Sequence, residues 1–237
     1  MIDLSQVKAL SFDCYGTLID WETGLKDVLN PWAAASKLLQ RDDRLLELFG
    51  CHEAAVEAEH PSWLYRDVLR EVMRRIGREL GADAAGETVE HLANSVGDWP
   101  AFHDSAEALQ RLKQRYKLCI LSNVDHHSFT GTLPRLKVEF DLVVTAEDVG
   151  SYRPSLRNFK ALLDRLWEFG VAPEELLHVA QSLYHDHAPA KRLGLKSAWI
   201  DRRRGMEGSG ATLPPAAPPA YDVSFASMRE FADWACG

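Results

Sequence analysis

The amino-acid sequence predicts an α/β protein: a parallel sheet with helices on both faces and a helical segment inserted after its first strand. Three observations carry this reading. VKALSF, at 7–12, is a short apolar run that stops at Asp13 and runs into the glycine-containing CYGTL. That suits a buried strand with a functional loop at its carboxyl end. From about Trp21 to Asp98 the pattern is helical instead, and after Pro100 short apolar runs alternate with helical segments. Repeated strand and helix units imply a parallel sheet.

Taken in order, the inserted stretch shows Val68, Leu69, Val72, Met73, Ile76 and Leu80 at helical spacing, with Arg66, Asp67, Arg70, Arg74 and Arg75 between them. One apolar face and one charged face make a helix that packs on one side only. KLCILSN, FDLVVTAEDV, ELLHVAQS and KSAWIDRR read as strands, with PSLRNFKALLDRL and HDHAPAKRLG as helices between them. GMEGSGATLPPAAPPA, at 205–220, is a Gly/Pro-rich loop without apolar period, after which YDVSF and SMREFADWA supply a last strand and helix. The expected organisation is a core of 1–20 and 97–237 with a helical cap of 21–96 roofing the carboxyl ends of the strands.

Composition excludes more than it identifies. With 237 residues, 46% hydrophobic and 26% charged, the chain suits an α/β domain with an insertion. A net charge of −8 argues against nucleic-acid binding, so an anionic small-molecule substrate would need locally placed Arg, Lys or backbone N–H groups. Cys14, Cys51, Cys119 and Cys236 show no CxxC spacing and read as reduced thiols in a cytoplasmic protein. No stretch approaches the roughly 20 apolar residues of a membrane span. Whether the chain is a monomer or a homodimer stays open.

In FDCYGTLID, Asp13 comes straight off the first strand, Gly16 permits a tight turn, and Thr17 can hydrogen-bond a neighbouring carboxylate. Backbone N–H groups of such a loop cradle an anion, and the carboxylate can attack an electrophilic carbon or phosphorus. LCILSNVD, at 118–125, repeats the design of a strand ending in polar residues, Ser122 and Asn123.

FDCYGTLID resembles the first motif of the haloacid dehalogenase superfamily, and more narrowly that of its type II 2-haloacid dehalogenases; the order of elements is similar over essentially the whole chain. The resemblance implies a Rossmann-like, doubly wound core with a cap, and Asp13 as covalent nucleophile. The superfamily's phosphatases carry a second Asp two residues on as general acid and base, whereas Tyr15 stands here, as in the dehalogenases. A phenol with an ordinary pKa of about 10 is a poor acid for a leaving alkoxide, while halide needs no proton to leave. By the same resemblance Ser122 binds a carboxylate oxygen, and Asn123 helps hold halide or substrate. Arg153, in GSYRPSLRNF, stands where the family has Lys and offsets the nucleophile's charge. Asp186, in LLHVAQSLYHDHAPAKRLGL, orients Arg153 and the attacking water, and Ser182 takes over an Asn role.

The sequence departs from the family at several positions. Phe159 replaces an expected Tyr, and Ala180, Gln181 and Ser182 replace a Ser-Ser-Asn run. Ala33 follows Trp32 where the dehalogenases have a halide-binding Arg, leaving Arg41 and Arg44 as loose candidates. His185 and His187 suit capping or surface roles, and Phe49, Trp63 and Tyr65 suit packing. Cys14 and Tyr15, beside the nucleophile, join Asn123 and Ser182 as candidate substrate-binding residues, although a buried thiol at Cys14 equally fills space. The expected function is a cofactor-free dehalogenase of short 2-haloacids. The alternatives are a magnesium-dependent phosphatase, which Tyr15 and Ala190 disfavour, and a non-catalytic binding protein of the same fold.

Overall fold

The computed structural model describes residues 2–39, 42–206, 208–214 and 220–237, and the backbone alone of Asp42. Among these residues the strands are β1 (Ala9–Phe12), β2 (Lys117–Ser122), β3 (Leu142–Thr145), β4 (Leu176–Ala180), β5 (Lys196–Ile200) and β6 (Val223–Phe225). They form one sheet in the order β3-β2-β1-β4-β5-β6, parallel throughout. β1 and β4 are buried along their whole length, which is why both read as continuous apolar runs. The chain is therefore of the α/β, doubly wound class. Its strand order reverses beside β1, the point at which such sheets open a crevice at their carboxyl ends.

Between β1 and the rest of the sheet lie α1 (Trp21–Ala35), α2 (Asp42–Glu59), α3 (Tyr65–Leu80) and α4 (Glu87–Asn94), closed by a 3₁₀ turn at Val96–Asp98. α3 has the amphipathic character its spacing predicts: Val68, Leu69, Val72, Met73 and Ile76 are buried. Its outer arginines pair with carboxylates, Arg70 with Asp67 and Glu90, Arg75 with Glu59 and Glu71. Gly81, at φ +66°, ends the helix in the left-handed conformation that glycine adopts without strain. The insertion leaves and returns by one narrow double crossing. Ile19 pairs antiparallel with Ala101, Asp20 N–H donates to Pro100 C=O and Phe102 N–H to Leu18 C=O.

The sheet is flanked by α5 (Ser105–Lys113), α6 (His126–Leu136), α7 (Ala146–Val149), α8 (Leu156–Glu168), α9 (Ala188–Arg192) and α10 (Met228–Cys236). Two readings need correction, and one helix carries no reading at all. FDLVVTAEDV is strand only to Thr145; Thr145 and Asp148 then form a reciprocal capping box that starts α7. HDHAPAKRLG is two pieces, a π-helical turn at Leu183–His187 followed by α9. α6 contains Gly131 and Pro134 and carries little helical signal; the Asp125 side chain starts it by accepting Ser128 N–H at 2.8 Å. Among the described residues no helix is long and apolar enough to cross a membrane.

Candidate active site

Asp13 follows β1 directly, and its N–H donates to Val179 C=O of the neighbouring β4 at 3.1 Å. Gly16, at φ +93°, turns the loop back so that its N–H reaches Ile19 C=O; a Cβ there would crowd Trp21 and Gln181. Thr17 Oγ1 donates to Asp13 Oδ2 at 2.7 Å and accepts Gln181 N–H at 2.9 Å, tying the loop to the end of β4. Arg202 fixes the far side of the loop. Its guanidinium donates twice to Thr17 C=O, at 2.9 and 3.0 Å, pairs with buried Asp104 and lies over the Phe102 ring.

Arg153 is buried between two carboxylates, with Nη2 donating to Asp13 Oδ1 at 2.8 Å and Nη1 to Asp186 Oδ1. Asn123 holds it in place. Its Oδ1 accepts the N–H of Arg153 at 2.8 Å and Nε–H at 3.1 Å, and its Nδ2 donates to Arg153 C=O at 3.1 Å. Below Asp186 lies His178, fully buried in the middle of β4. Its Nε2 faces Asp186 Oδ1 at 3.0 Å, a carboxylate that only accepts, so Nε2 donates; in the neutral ring Nδ1 then accepts from Ser11 Oγ at 2.9 Å. Phe159 packs edge-on against His178 with centroids 5.0 Å apart. A ring without hydroxyl fits there because the polar partner comes from the strand.

Charges follow this arrangement. Burial works against ionised Asp186, but Arg153, His178 and His185 outweigh it and bring the carboxyl down to about 2. Burial and the nearby Asp186 push Asp13 above the ordinary carboxylate range, with Arg153 and Thr17 only partly offsetting them. Burial, helped by Arg153, pushes His185 down to about 4, so its ring is neutral at pH 7.

A narrow cleft opens above these groups. Asp13, Ser122, Asn123, Arg153 and Asp186 form its floor, with Ser182 and His185 along one wall. Ser122 Oγ and Asp186 Oδ2 are buried without a hydrogen-bond partner. Asp13, Thr17, Ser122, Arg153 and Asp186 are thus brought together, Thr17 from behind the nucleophile. Tyr15 lines the cleft, but its hydroxyl is bound to Thr132 Oγ1 at 2.9 Å. Asn123 binds Arg153 and, through Nδ2, Glu57 at 3.4 Å, and Ser182 Oγ accepts His185 N–H at 2.9 Å to start the π-helical turn.

Other expectations change. Cys14 lies in the core and not in the cleft, because side chains alternate across an extended segment and Asp13 and Tyr15 take the cleft side. Burial pushes its thiol well above the usual range. The capping or surface role expected of His187 gives way to burial, while His185 is half-buried and lines the cleft. The turn tucks beneath the ends of β4 and β5, where His187 bonds Ala180 C=O and Ser197 Oγ, both at 2.9 Å. Arg44 is exposed and pairs with Glu47 and Glu79; Arg41 lies outside the described residues. Phe49 is core, packed on Trp21, and Trp63 stacks on His60, but Tyr65 lines the cleft.

Sequence reasoning missed Glu53 and Glu57 of the cleft roof, Thr212 at its rim, and His178 and Arg202 behind it. His178 had a readable signal, a lone imidazole inside the apolar LLHVA. The glutamates had none, since i,i+4 carboxylates on a charged helix look solvated.

Fold and cleft together define a doubly wound α/β protein whose helical insertion helps line a cleft at the sheet's carboxyl edge. Solved structures share this fold: the L-2-haloacid dehalogenase from Xanthobacter autotrophicus with chloropropionic acid covalently bound (19% identity, 98% of this chain and 99% of that one, TM-score 0.78) is one. Others are a defluorinating L-2-haloacid dehalogenase (21%, 98% and 96%, TM-score 0.79) and a magnesium-bound hydrolase of the same superfamily from Bacillus subtilis (17%, 97% and 98%, TM-score 0.74). No curated protein sequence matches the chain significantly. The family model for haloacid dehalogenase-like hydrolases matches residues 7–194. The chain belongs to the haloacid dehalogenase-like hydrolase family.

Proposed function

We propose that the chain is a hydrolytic dehalogenase of short 2-haloacids working through an aspartyl ester, with residues 21–96 as its cap and 1–20 and 97–237 as its core. The observation that carries this reading is the Arg153 guanidinium bridging Asp13 and Asp186. It supplies a fixed positive charge where the nucleophile sits, with Asn123 locking its orientation. Asp13 attacks C2 as the carbon–halogen bond breaks, and halide leaves with the bonding pair. Water then attacks the Asp13 carbonyl carbon, releasing the 2-hydroxyacid, restoring the carboxylate and giving up one proton. Asp186 holds Arg153, and its unpartnered Oδ2 faces the cleft where that water must stand. Ser122 Oγ, equally unpartnered, is placed to meet the substrate carboxylate. The four cysteines, all free, fit a reducing, cytoplasmic compartment.

A magnesium-dependent phosphatase would hold its ion between Asp13 and Asp186. The Oδ1 atoms of both already face Arg153, Tyr15 adds no carboxylate, and among the described residues no group of three or more His, Cys, Asp or Glu is arranged for a metal. The donor set does not fit that ion. Halide release from the enantiomers of 2-chloropropionate in EDTA, abolished in Asp13→Asn, is the expected result. Magnesium-dependent phosphate release from small phosphomonoesters, with no halide from any haloacid, would overturn the reading.

A further inference from the structure

The cleft roof carries carboxyl groups that displacement at Asp13 does not use. Glu53 and Glu57, four residues apart on α2, face the same way and are only 4% and 5% exposed. Tyr65 Oη donates to Glu53 at 2.5 Å, and Asn123 Nδ2 to Glu57 at 3.4 Å. With Asp13 and Asp186 beneath, the cleft is lined by four carboxylates and, among the described residues, by Arg153 as its one Lys or Arg. That guanidinium is already committed to Asp13 and Asp186. A substrate bringing only a carboxylate leaves both roof carboxyls without a counter-charge.

The same space is built to receive a ligand. Ser122 Oγ and Asp186 Oδ2 are buried, unpartnered and in its lining, and the rings of Trp21 and Tyr65 wall it beside the glutamates. Aromatic faces with buried carboxylates are the groups that recognise an ammonium ion. Burial also leaves the pair poorly compensated when empty: it pushes Glu53 up to about 7, and burial together with Glu53 pushes Glu57 well above the usual range, with Arg153 and Asn123 offsetting only part. A bound cation removes that penalty.

Resting on the dehalogenase reading above, we propose that Glu53, Glu57, Tyr65 and Trp21 form an ammonium subsite, and that the substrate is a 2-haloacid bearing a positively charged nitrogen. The carboxylate end meets Ser122, C2 meets Asp13 and the cationic end meets the roof.

Two measurements test it. Halide release is compared between 2-chlorobutanoate and 2-chloro-4-(trimethylammonio)butanoate, whose quaternary nitrogen cannot cyclise. The zwitterion is expected to show a kcat/KM about tenfold higher, and Glu53→Gln/Glu57→Gln to lose that preference. Equal rates, or preference for 2-chlorobutanoate, overturn the subsite. Calorimetric titration with tetramethylammonium chloride, against sodium chloride as control, reads the subsite without turnover. Saturable binding to the wild type that is lost in the double variant supports it, and no binding overturns it. If neither chloroacid releases halide while tetramethylammonium binds, the dehalogenase reading fails and the cationic subsite stands.

Discussion

At the scale of single residues, the site depends on one guanidinium serving two buried carboxylates. Arg153→Met leaves Asp13 and Asp186 buried without their counter-ion, a loss on the order of 3–5 kcal/mol, and removes the charge that positions the nucleophile. Urea unfolding should show a loss of that size, together with at least a hundredfold fall in turnover. Arg153→Lys keeps the charge but not the fork, so it should lose less of both; equal losses in the two variants would show that charge is not what Arg153 supplies. Protonation of Asp13 is the other residue-scale control. Burial and Asp186 hold its pKa above the ordinary carboxylate range, and only the ionised form attacks. Turnover on the acid side should therefore rise with pH at values above that range, and a rate already flat from pH 4 upward would contradict it. Asp13 and Ser122 were legible as candidates because they close short apolar strand runs, and Thr17, Arg153 and Asp186 through the resemblance of the motifs around them; the fold brings the five together. Asn123 was legible as a residue but not in its task, since holding Arg153 depends on two loops that only the fold brings together.

At the scale of elements, the strands were legible because burial on both faces makes them continuous apolar runs, and α3 because burial on one face makes it periodic. α6 was not, since Gly131 and Pro134 weaken its pattern and the Asp125 cap carries its start. The 205–220 segment has no period at all, yet part of it is fixed: Ala211 is 1% exposed, its N–H donates to Glu22 at 3.0 Å, and Thr212 reaches the cleft. Gly50 on α2 makes that docking possible, because any Cβ there would overlap the carbonyl oxygen of Ala211. In an unencumbered helix Gly→Ala stabilises by up to about 1 kcal/mol. Here Gly50→Ala should instead destabilise the protein and raise KM more than it lowers kcat, as the Ala211–Thr212 turn is forced off α2. A variant with raised Tm and unchanged KM would show that the turn does not shape the cleft.

At the scale of the whole molecule, the inward-facing titratable groups give stability two opposed limbs in pH. Burial lowers His185 and His187 from 6.5 to about 4, so their contribution is present above pH 6.5 and lost as pH falls through 4. Asp186, taken from 3.8 to about 2 by Arg153 and its imidazole neighbours against the opposing effect of burial, adds a further loss as pH falls through 2. Glu53 runs the other way. Burial raises it from 4.5 to about 7, so the folded state binds the extra proton between those values; its contribution is complete below 4.5 and lost as pH rises through 7. Glu57, raised in the same direction, extends the alkaline limb. Glu53→Gln preserves the shape and an acceptor for the Tyr65 hydroxyl while removing the charge. The stability of the variant relative to the wild type should therefore rise by about 2–3 kcal/mol between pH 5 and pH 8, because each tenfold difference in proton affinity between the folded and unfolded chain is worth about 1.4 kcal/mol. Between pH 4.5 and 6.5 Glu53 and the two histidines titrate together in opposite senses, so the acid limb of the variant should be steeper there, by the slope Glu53 had opposed. Urea unfolding of both proteins at pH 4, 5, 6.5 and 8 measures this difference, and a difference that stays constant from pH 5 to pH 8 would place the alkaline limb elsewhere.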